Sequence, residues 1–440
     1  MKRKCEIPAA AGLLMATLFA ATAVPAQQQA TLTKDEQFRI SGMMRDAYND
    51  VKKYYYDPKL QGLDWEARYQ QYTAMIGKAH NLGEGFRIVA AFLSGLKDSH
   101  TFFTPPERST RYDNGYRSAI VGDACFITQI RPNTDAAAKL HIGDQVELLD
   151  GFNMNREDFH DLEYFLKTLA PQAAEQLDLK SPEGERRRVV VNSLVKVNKR
   201  VMDLTDNADY YQLIRRDENE DHASRSRIVE NGDAAIWKLQ RFDLELAEVE
   251  KAVGIVKRHQ TLILDLRGNP GGYTDTLKTI TGSLFDREIK IADRVGKKDS
   301  KPMIAKRQGG PFGGKLIVLV DSDSASAAEL LARVVQIEHR GTVIGDRSAG
   351  AVMEARHYTE TQGMDTKILY GFSVTEANLI MGDGKSLEKT GVTPDEVLLP
   401  TGADLAAGRD PVLAHAAELA GVKLDPAAAG KMFPFEWAPL

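Results

Sequence analysis

Cysteine is almost missing from these 440 residues: there are two. Cys5 lies in a leader-like stretch, so a chain without its leader keeps Cys125 alone and can form no intramolecular disulfide. Cys125 sits in the apolar run "ACFI", where a free cysteine behaves as a small buried hydrophobe. A basic excess is lacking too. Lys and Arg number 57 against 62 Asp and Glu, a net charge of -5 with pI near 6.1, which removes the electrostatic footing of a nucleic-acid binder. Metal-ligand spacing is absent where it could be sought: His222 beside Asp221 and Glu220, in the mixed-charge run "RRDENEDHASRSR", has no spaced second His or Cys. That run reads as a solvated loop. No metal or organic cofactor is expected.

The conspicuous apolar run is at the N-terminus. "MKRK" gives a positive start, "PAAAGLLMATLFAATAV" an apolar stretch, and "VPA" a small-residue cleavage site before Gln27, so residues 1–26 read as a secretory signal. The stretch falls short of a comfortable membrane span and Pro25 closes it. Cys5 lacks the small apolar residues expected before a lipidated cysteine. The expected fate is export, periplasmic or secreted, with no stable membrane span after cleavage.

The length exceeds one compact core and predicts several domains. Residues 27–110 are helical in pattern: "EQFRISGMMRDAYNDVKKYYY", "DWEARYQQYTAMIGKA" and "GEGFRIVAAFLSGL" return apolar residues at three and four. The tyrosines Tyr54 to Tyr56 read as packing at a helix end. Residues 111–200 change to short strands with turn signals, among them "CFITQIRP", "IGDQVELLDGFNM" and "RRRVVVNSL". The order of strands, short helices and Gly-Asp turns in "ITQIRPNTDAAAKLHIGDQVELLDG" resembles a PDZ-like domain. Such a domain can add an extended peptide to an exposed strand edge. The other reading is a β-rich spacer.

Residues 201–405 carry near-continuous apolar runs, "AAIWKL", "TLILDLRG", "KLIVLVD" and "GTVIGD", separated by helical stretches. Strands buried on both faces need such runs, so this is an α/β core. Ligands bind at the carboxyl ends of such strands, where "RGNPGG" at Arg267 to Gly272 and "DSDSASAAEL" at Asp321 to Leu330 both fall. Two readings compete for the serines. Ser326 with Glu329 fits a helix capping box. Alternatively one of the serines is a nucleophile, with the Gly-Gly pair and the N–H after the serine facing a developing oxyanion. Spacing leaves both open. Asp265 and Arg267 read as holding the loop, with pairing needed if buried. Residues 406–440 read as a closing helix over "GADLAAGRDPVLAHAAELAG" and an aromatic tail with Phe433, Phe435 and Trp437, either packed or free.

Together "LILDLRGNPGG", "IVLVDSDSASAAELLA", "VIGDRSAGA" and "EKTGVTPDEVLLP" resemble the C-terminal-processing protease and tricorn-core family of serine peptidases. The likeness extends upstream to "LKDSHTFFTPP". It implies a crotonase-like catalytic core with the PDZ-like domain inserted and an N-terminal helical domain. It implies Ser326 as nucleophile with Ser322 and Ser324 as bystanders, and an oxyanion hole from the N–H groups of Ala327 and of Gly271 or Gly272. The processing-protease branch takes its base from a lysine in a loop like "GEPTYGKG". Here the loop reads "GDRSAGAV" and the matching position is Ala351, which excludes that lysine. The departure agrees with the tricorn-like branch, where His100 would be the base, Ser99 its orienting partner and Glu388 the fourth member. A histidine suits the task, since its ordinary pKa near 6.5 lets it take and return a proton near neutrality.

The implied function is an exported serine endopeptidase acting on unfolded or tail-presented protein. The alternative is an inactive relative that binds peptides or apolar ligands. A crotonase-like enzyme acting on acyl thioesters shares the core, but fits poorly with a leader and a PDZ-like domain.

Overall fold

The computed structural model describes residues 32–108, 110–197, 226–298, 301–363 and 368–437. The expected signal segment and the run Arg215 to Arg225, with His222, lie outside the described residues. The chain is a mixed α/β protein with four hydrophobic clusters.

The central sheet has six strands in the order Ser226–Asn231, Ala234–Leu239, Thr261–Asp265, Lys315–Val320, Thr342–Gly345 and Glu396–Val397. The first pair is antiparallel and the rest run parallel. Burial on both faces explains the unbroken apolar runs. Leu262 and Leu264 face a cluster shared with the helices Leu246–Val256, Thr274–Leu284 and Ala327–Ile337, while Ile263, Ile317 and Ile344 face the helix Pro411–Leu419. The closing segment is two helices rather than one. Gly408 takes φ 62°, and Asp410 caps a new helix with Pro411 at its first turn, where a proline restarts a helix and cannot continue one. Met432 and Phe433 pack under the same sheet face, so the tail lies on the body of the protein.

A second sheet sets the position of the N-terminal region. Three helices, Lys34–Tyr54, Trp65–Ile76 and Leu82–Ser94, occupy the segment with helical periodicity and are capped by Thr33, Asp64 and Asn81. Directly after them the short strand Phe102–Thr104 pairs antiparallel with the long strand Ile368–Met381, Phe103 opposite Phe372. Both phenylalanines are fully buried, with rings stacked 5.5 Å apart.

A third sheet, Tyr116–Val121, Ala124–Ile130, Gln145–Leu149, Ala174–Lys180 and Arg186–Asn192 with Phe152–Asn153 paired alongside, forms the β-rich segment around its own core. Cys125 belongs to that core and is fully buried, and burial pushes its thiol up to about 12. Among the described residues no helix is long and apolar enough to cross a membrane.

One ion-pair network fixes the end of the central sheet. Asp265 is 1% exposed and accepts from Arg267 Nη2 at 2.8 Å and Lys238 Nζ at 3.2 Å; Arg267 also donates to Asp410 at 2.8 Å. Burial alone would raise the Asp265 carboxyl, but the charges of Arg267 and Lys238 outweigh it and hold it well below the usual range. Its stabilisation is therefore present above the unfolded-state value of about 3.9 and is lost as pH falls through the depressed folded value. Asp265→Asn leaves Arg267 under-compensated and is expected to cost about 3 kcal/mol or more in urea unfolding at pH 7.

Candidate active site

Ser326 is the residue immediately before the helix Ala327–Ile337, half-buried, with φ 53° and ψ −115°. This left-handed turn is strained for a non-glycine residue and presents the side chain at the strand-to-helix corner. A capping-box outline is present, yet the serine side chain makes no cap hydrogen bond. The Ser326 N–H instead donates to Glu329 Oε2 at 3.0 Å and to Ala351 O at 2.9 Å. The serines upstream are spent on structure. Ser324 is fully buried and donates to Leu266 O at 2.9 Å; Ser322 donates to Ile120 O at 2.6 Å.

The two loops at the sheet edge, which spacing could not bring together, do meet. Ala325 N–H donates to Asn269 O at 2.8 Å and Gly268 N–H to Asp321 Oδ1 at 2.8 Å. Gly271, at φ 101°, lies so near Ser326 that a Cβ on it would stand 2.7 Å from the serine Cβ. Its N–H is committed to Asn269 Oδ1 at 2.8 Å, so Gly271 is not an available oxyanion donor. Among the described residues the N–H groups of Gly272 and Ala327 make no hydrogen bond, and Ala327 opens a helix, where the dipole favours negative charge. Asn269, unnoticed in the sequence, is fully buried and also donates to Leu239 O at 2.9 Å, fixing the loop.

His100 is delivered from the other side by the strand Phe102–Thr104. Its Nδ1 is 2.7 Å from Ser99 Oγ, which donates to Glu388 Oε2 at 2.8 Å; Ser99 N–H donates to Glu388 Oε1 at 2.8 Å. Three residues singled out in the sequence, 289 positions apart at their widest, thus form one relay. No hydrogen bond joins the imidazole to the Ser326 hydroxyl among the described residues. The connection runs through backbone: Ala351 O accepts from Ser326, and the next N–H, of Val352, donates to Glu388 Oε2 at 2.9 Å.

Asp98 organises the relay and was missed. Its Oδ1 accepts the N–H groups of His100 at 3.0 Å and Thr101 at 2.8 Å, and the Thr375 hydroxyl at 2.6 Å. Its Oδ2 accepts the Tyr55 hydroxyl at 2.9 Å, so one of the helix-end tyrosines buttresses the site. "KDSH" carried the signal, since an aspartate that binds the N–H two residues on is the Asx turn. Burial lowers the His100 pKa below its ordinary value, against the opposing Asp98 charge, and burial raises that of Glu388 against the bonds from Val352 and Ser99. Behind the relay lies a cavity of about 420 Å³, lined in part by Tyr56, Gln61, Asp98, Asn378 and Glu388. Among the described residues no group of three or more His, Cys, Asp and Glu side chains is placed to hold a metal ion.

The β-rich segment abuts these loops. Besides the Ser322 bond to Ile120 on its edge strand, Gly122 N–H donates to Asp346 Oδ2 at 2.8 Å, and Arg156 donates to Asp346 Oδ2 at 2.5 Å and Arg347 O at 2.8 Å.

Chemically, a hydroxyl on a strained turn with open backbone donors at the central sheet edge, and a histidine relay delivered by the second sheet, are the equipment of a serine-type peptidase. Residues 233–398 match the model of peptidase family S41 and residues 39–93 that of the tricorn protease C1 domain. It is similar to tricorn protease homolog 2 of Streptomyces coelicolor, 24% identical over 402 residues, 86% of this chain and 32% of that one. It is also similar to the carboxy-terminal processing protease CtpA of Bacillus subtilis, 30% identical over 134 residues, 30% of this chain and 27% of that one. The chain thus spans about a third of the length of these relatives. Against the carboxyl-terminal-processing protease of Picosynechococcus sp. it is 24% identical over 407 residues, 88% of this chain and 89% of the other. Its fold is similar to that of mature CPAF, with a TM-score of 0.62 at 14% identity over 85% of this chain and 95% of that one.

Gly271→Ala forces both a positive φ on alanine and a clash with Ser326. It is expected to abolish covalent labelling by a serine-reactive fluorophosphonate and to lower the melting temperature.

Proposed function

We propose that this protein is an exported serine endopeptidase that cleaves unfolded or tail-presented protein chains, with a crotonase-like core and a PDZ-like domain that presents the substrate. The observation that carries the reading is the hydrogen-bonded series Glu388, Ser99 and His100, tied through Ala351 and Val352 to the turn of Ser326. The names of the relatives, carboxyl-terminal-processing proteases and a tricorn protease homolog, support the substrate class. The contacts of Ile120, Gly122 and Arg156 with the catalytic loops support a presenting role for the β-rich segment. The leader-like residues 1–26 support export.

In this mechanism substrate binding closes the gap between imidazole and hydroxyl, and His100 takes the Ser326 proton as Oγ attacks the peptide carbonyl. Gly272 and Ala327 N–H groups hold the oxyanion. Collapse breaks the C–N bond, and the imidazolium protonates the leaving amine. Water, deprotonated by the same imidazole, then releases the acyl group and restores the Ser326 hydroxyl. Glu388 acts through Ser99, which keeps Nδ1 occupied and directs Nε2 to the serine.

Cleavage of an unfolded protein and fluorophosphonate labelling together test the proposal. Ser326→Ala is expected to lose labelling altogether and at least about 10⁴-fold in kcat, and His100→Ala about 10³-fold in kcat. Ser324→Ala keeps labelling while losing about 1–3 kcal/mol of stability, because the Asp321 N–H loses its Ser324 Oγ acceptor and Leu266 O loses one of its two donors. Tight apolar binding by a wild type that neither cleaves nor labels would instead establish an inactive binding relative.

The pH profile supplies a second check. The base must be neutral and burial lowers its pKa, so kcat/KM is expected to fall on the acid side through a midpoint below about 6.5. A midpoint above that value would contradict His100 as a desolvated base.

A further inference from the structure

Glu329 is a buried carboxyl group that the acyl-transfer steps do not use. Its side chain is fully enclosed, and four donors converge on it. Oε2 accepts the N–H groups of Ser326 and Ala351, each at 3.0 Å; Oε1 accepts the Ser348 hydroxyl at 2.6 Å and the Gly350 N–H at 2.7 Å. The lone-pair directions of both oxygens are thereby filled, an environment built for the carboxylate. The residue is also in the first turn of an 11-residue helix, where the dipole favours a negative charge. Burial works in the other direction and pushes its pKa up to about 7.

A helix cap accounts for one of these four bonds, the one from Ser326. The other three lead to the loop at Ser348 to Ala351, which contains the position left without a lysine. That loop is fastened to both halves of the site. Ala351 O accepts from Ser326, Gly350 O accepts the Lys389 N–H at 2.6 Å, Ser348 Oγ accepts the Val392 N–H at 2.6 Å, and Val352 N–H holds Glu388. Displacing the loop would move the Ser326 turn and the Glu388 end of the relay together.

We infer that Glu329 is a positioning residue: its carboxylate holds Ser326 on its left-handed turn and docks the Ser348–Ala351 loop against it, so that one group sets nucleophile and relay. The catalytic part of this inference rests on Ser326 being the nucleophile. In place of a cationic lysine, the loop supplies backbone N–H groups to a buried anion and becomes a fixed strut.

The test is Glu329→Gln, which keeps the shape but turns one accepting oxygen into an amide NH₂ facing two donors. Expected are a fall of about 10²-fold in kcat with KM little changed, equal slowing of Ser326 labelling, and faster amide hydrogen exchange at Gly350 and Ala351. Ser348→Ala removes one donor of the four and is expected to slow labelling less, which keeps the inference testable if Glu329→Gln fails to fold. Unchanged kcat and labelling in folded Glu329→Gln, or in Ser348→Ala where that is the variant that folds, overturns the inference. So does a loss of activity that only follows the folded fraction. If wild type itself neither cleaves nor labels, the peptidase reading fails separately. Amide exchange then decides on the strut: unchanged protection at Gly350 and Ala351 in Glu329→Gln overturns it, and faster exchange upholds it.

Discussion

The pairing of Phe102–Thr104 with the long strand Ile368–Met381 is the contact on which the site depends. A strand of three residues has little stability of its own, and its place is secured by the buried stack of Phe103 on Phe372 and by Thr101 bonding Thr375. Ser99 and His100 stand immediately before it. The N-terminal helical segment is thereby locked to the second sheet, and the imidazole is held beside a glutamate distant in sequence. Asp98 makes that arrangement rigid by binding backbone, threonine and tyrosine at once.

The Ser326 side is built by a different device. The parallel strands Thr261–Asp265 and Lys315–Val320 end at the same edge, so the loops that follow them are neighbours by register: Asp265 lies opposite Leu319. Asp321, accepting the Gly268 N–H, and Ser324, donating to Leu266 O, stitch these loops together, and the Asn269 amide ties the first of them to Leu239 O. Glycine at 271 is required because Ser326 occupies the space of a side chain. Strain at Ser326 persists because Glu329 and Ala351 both bind its N–H, so the surrounding bonds over-determine a conformation that alanine or serine would otherwise avoid.

Buried charge is used in two ways in this protein. Asp265 and Asp410 flank Arg267 as ions, and their pairing offsets desolvation at the sheet end. Among the described residues Glu329 and Glu388 have no cationic partner and are held instead by N–H and O–H donors, which leaves their pKa values raised by burial. The first arrangement holds the Asp265 carboxyl below its usual range, whereas the second makes geometry depend on a set of donors remaining aimed at two oxygens.

Hydrophobic period and turn chemistry, both local properties, made the helices, the doubly buried strands and the β-rich segment legible in the sequence. Resemblance marked Ser326, His100, Ser99 and Glu388, and Ala351 showed that no lysine serves there. Other features could not be read from order alone. Which glycine keeps its N–H open depends on Asn269 turning its amide toward Gly271. The helix break at Gly408 and Asp410 depended on a cap that the apolar pattern concealed. Asp98 was missed and Glu329 read as half a capping box because their partners come from residues 55, 375 and 348–351. Local sequence determines which segments are apolar and where they turn. Only the tertiary structure decides which buried donor finds which acceptor, because that choice is made between chains of residues brought together by packing.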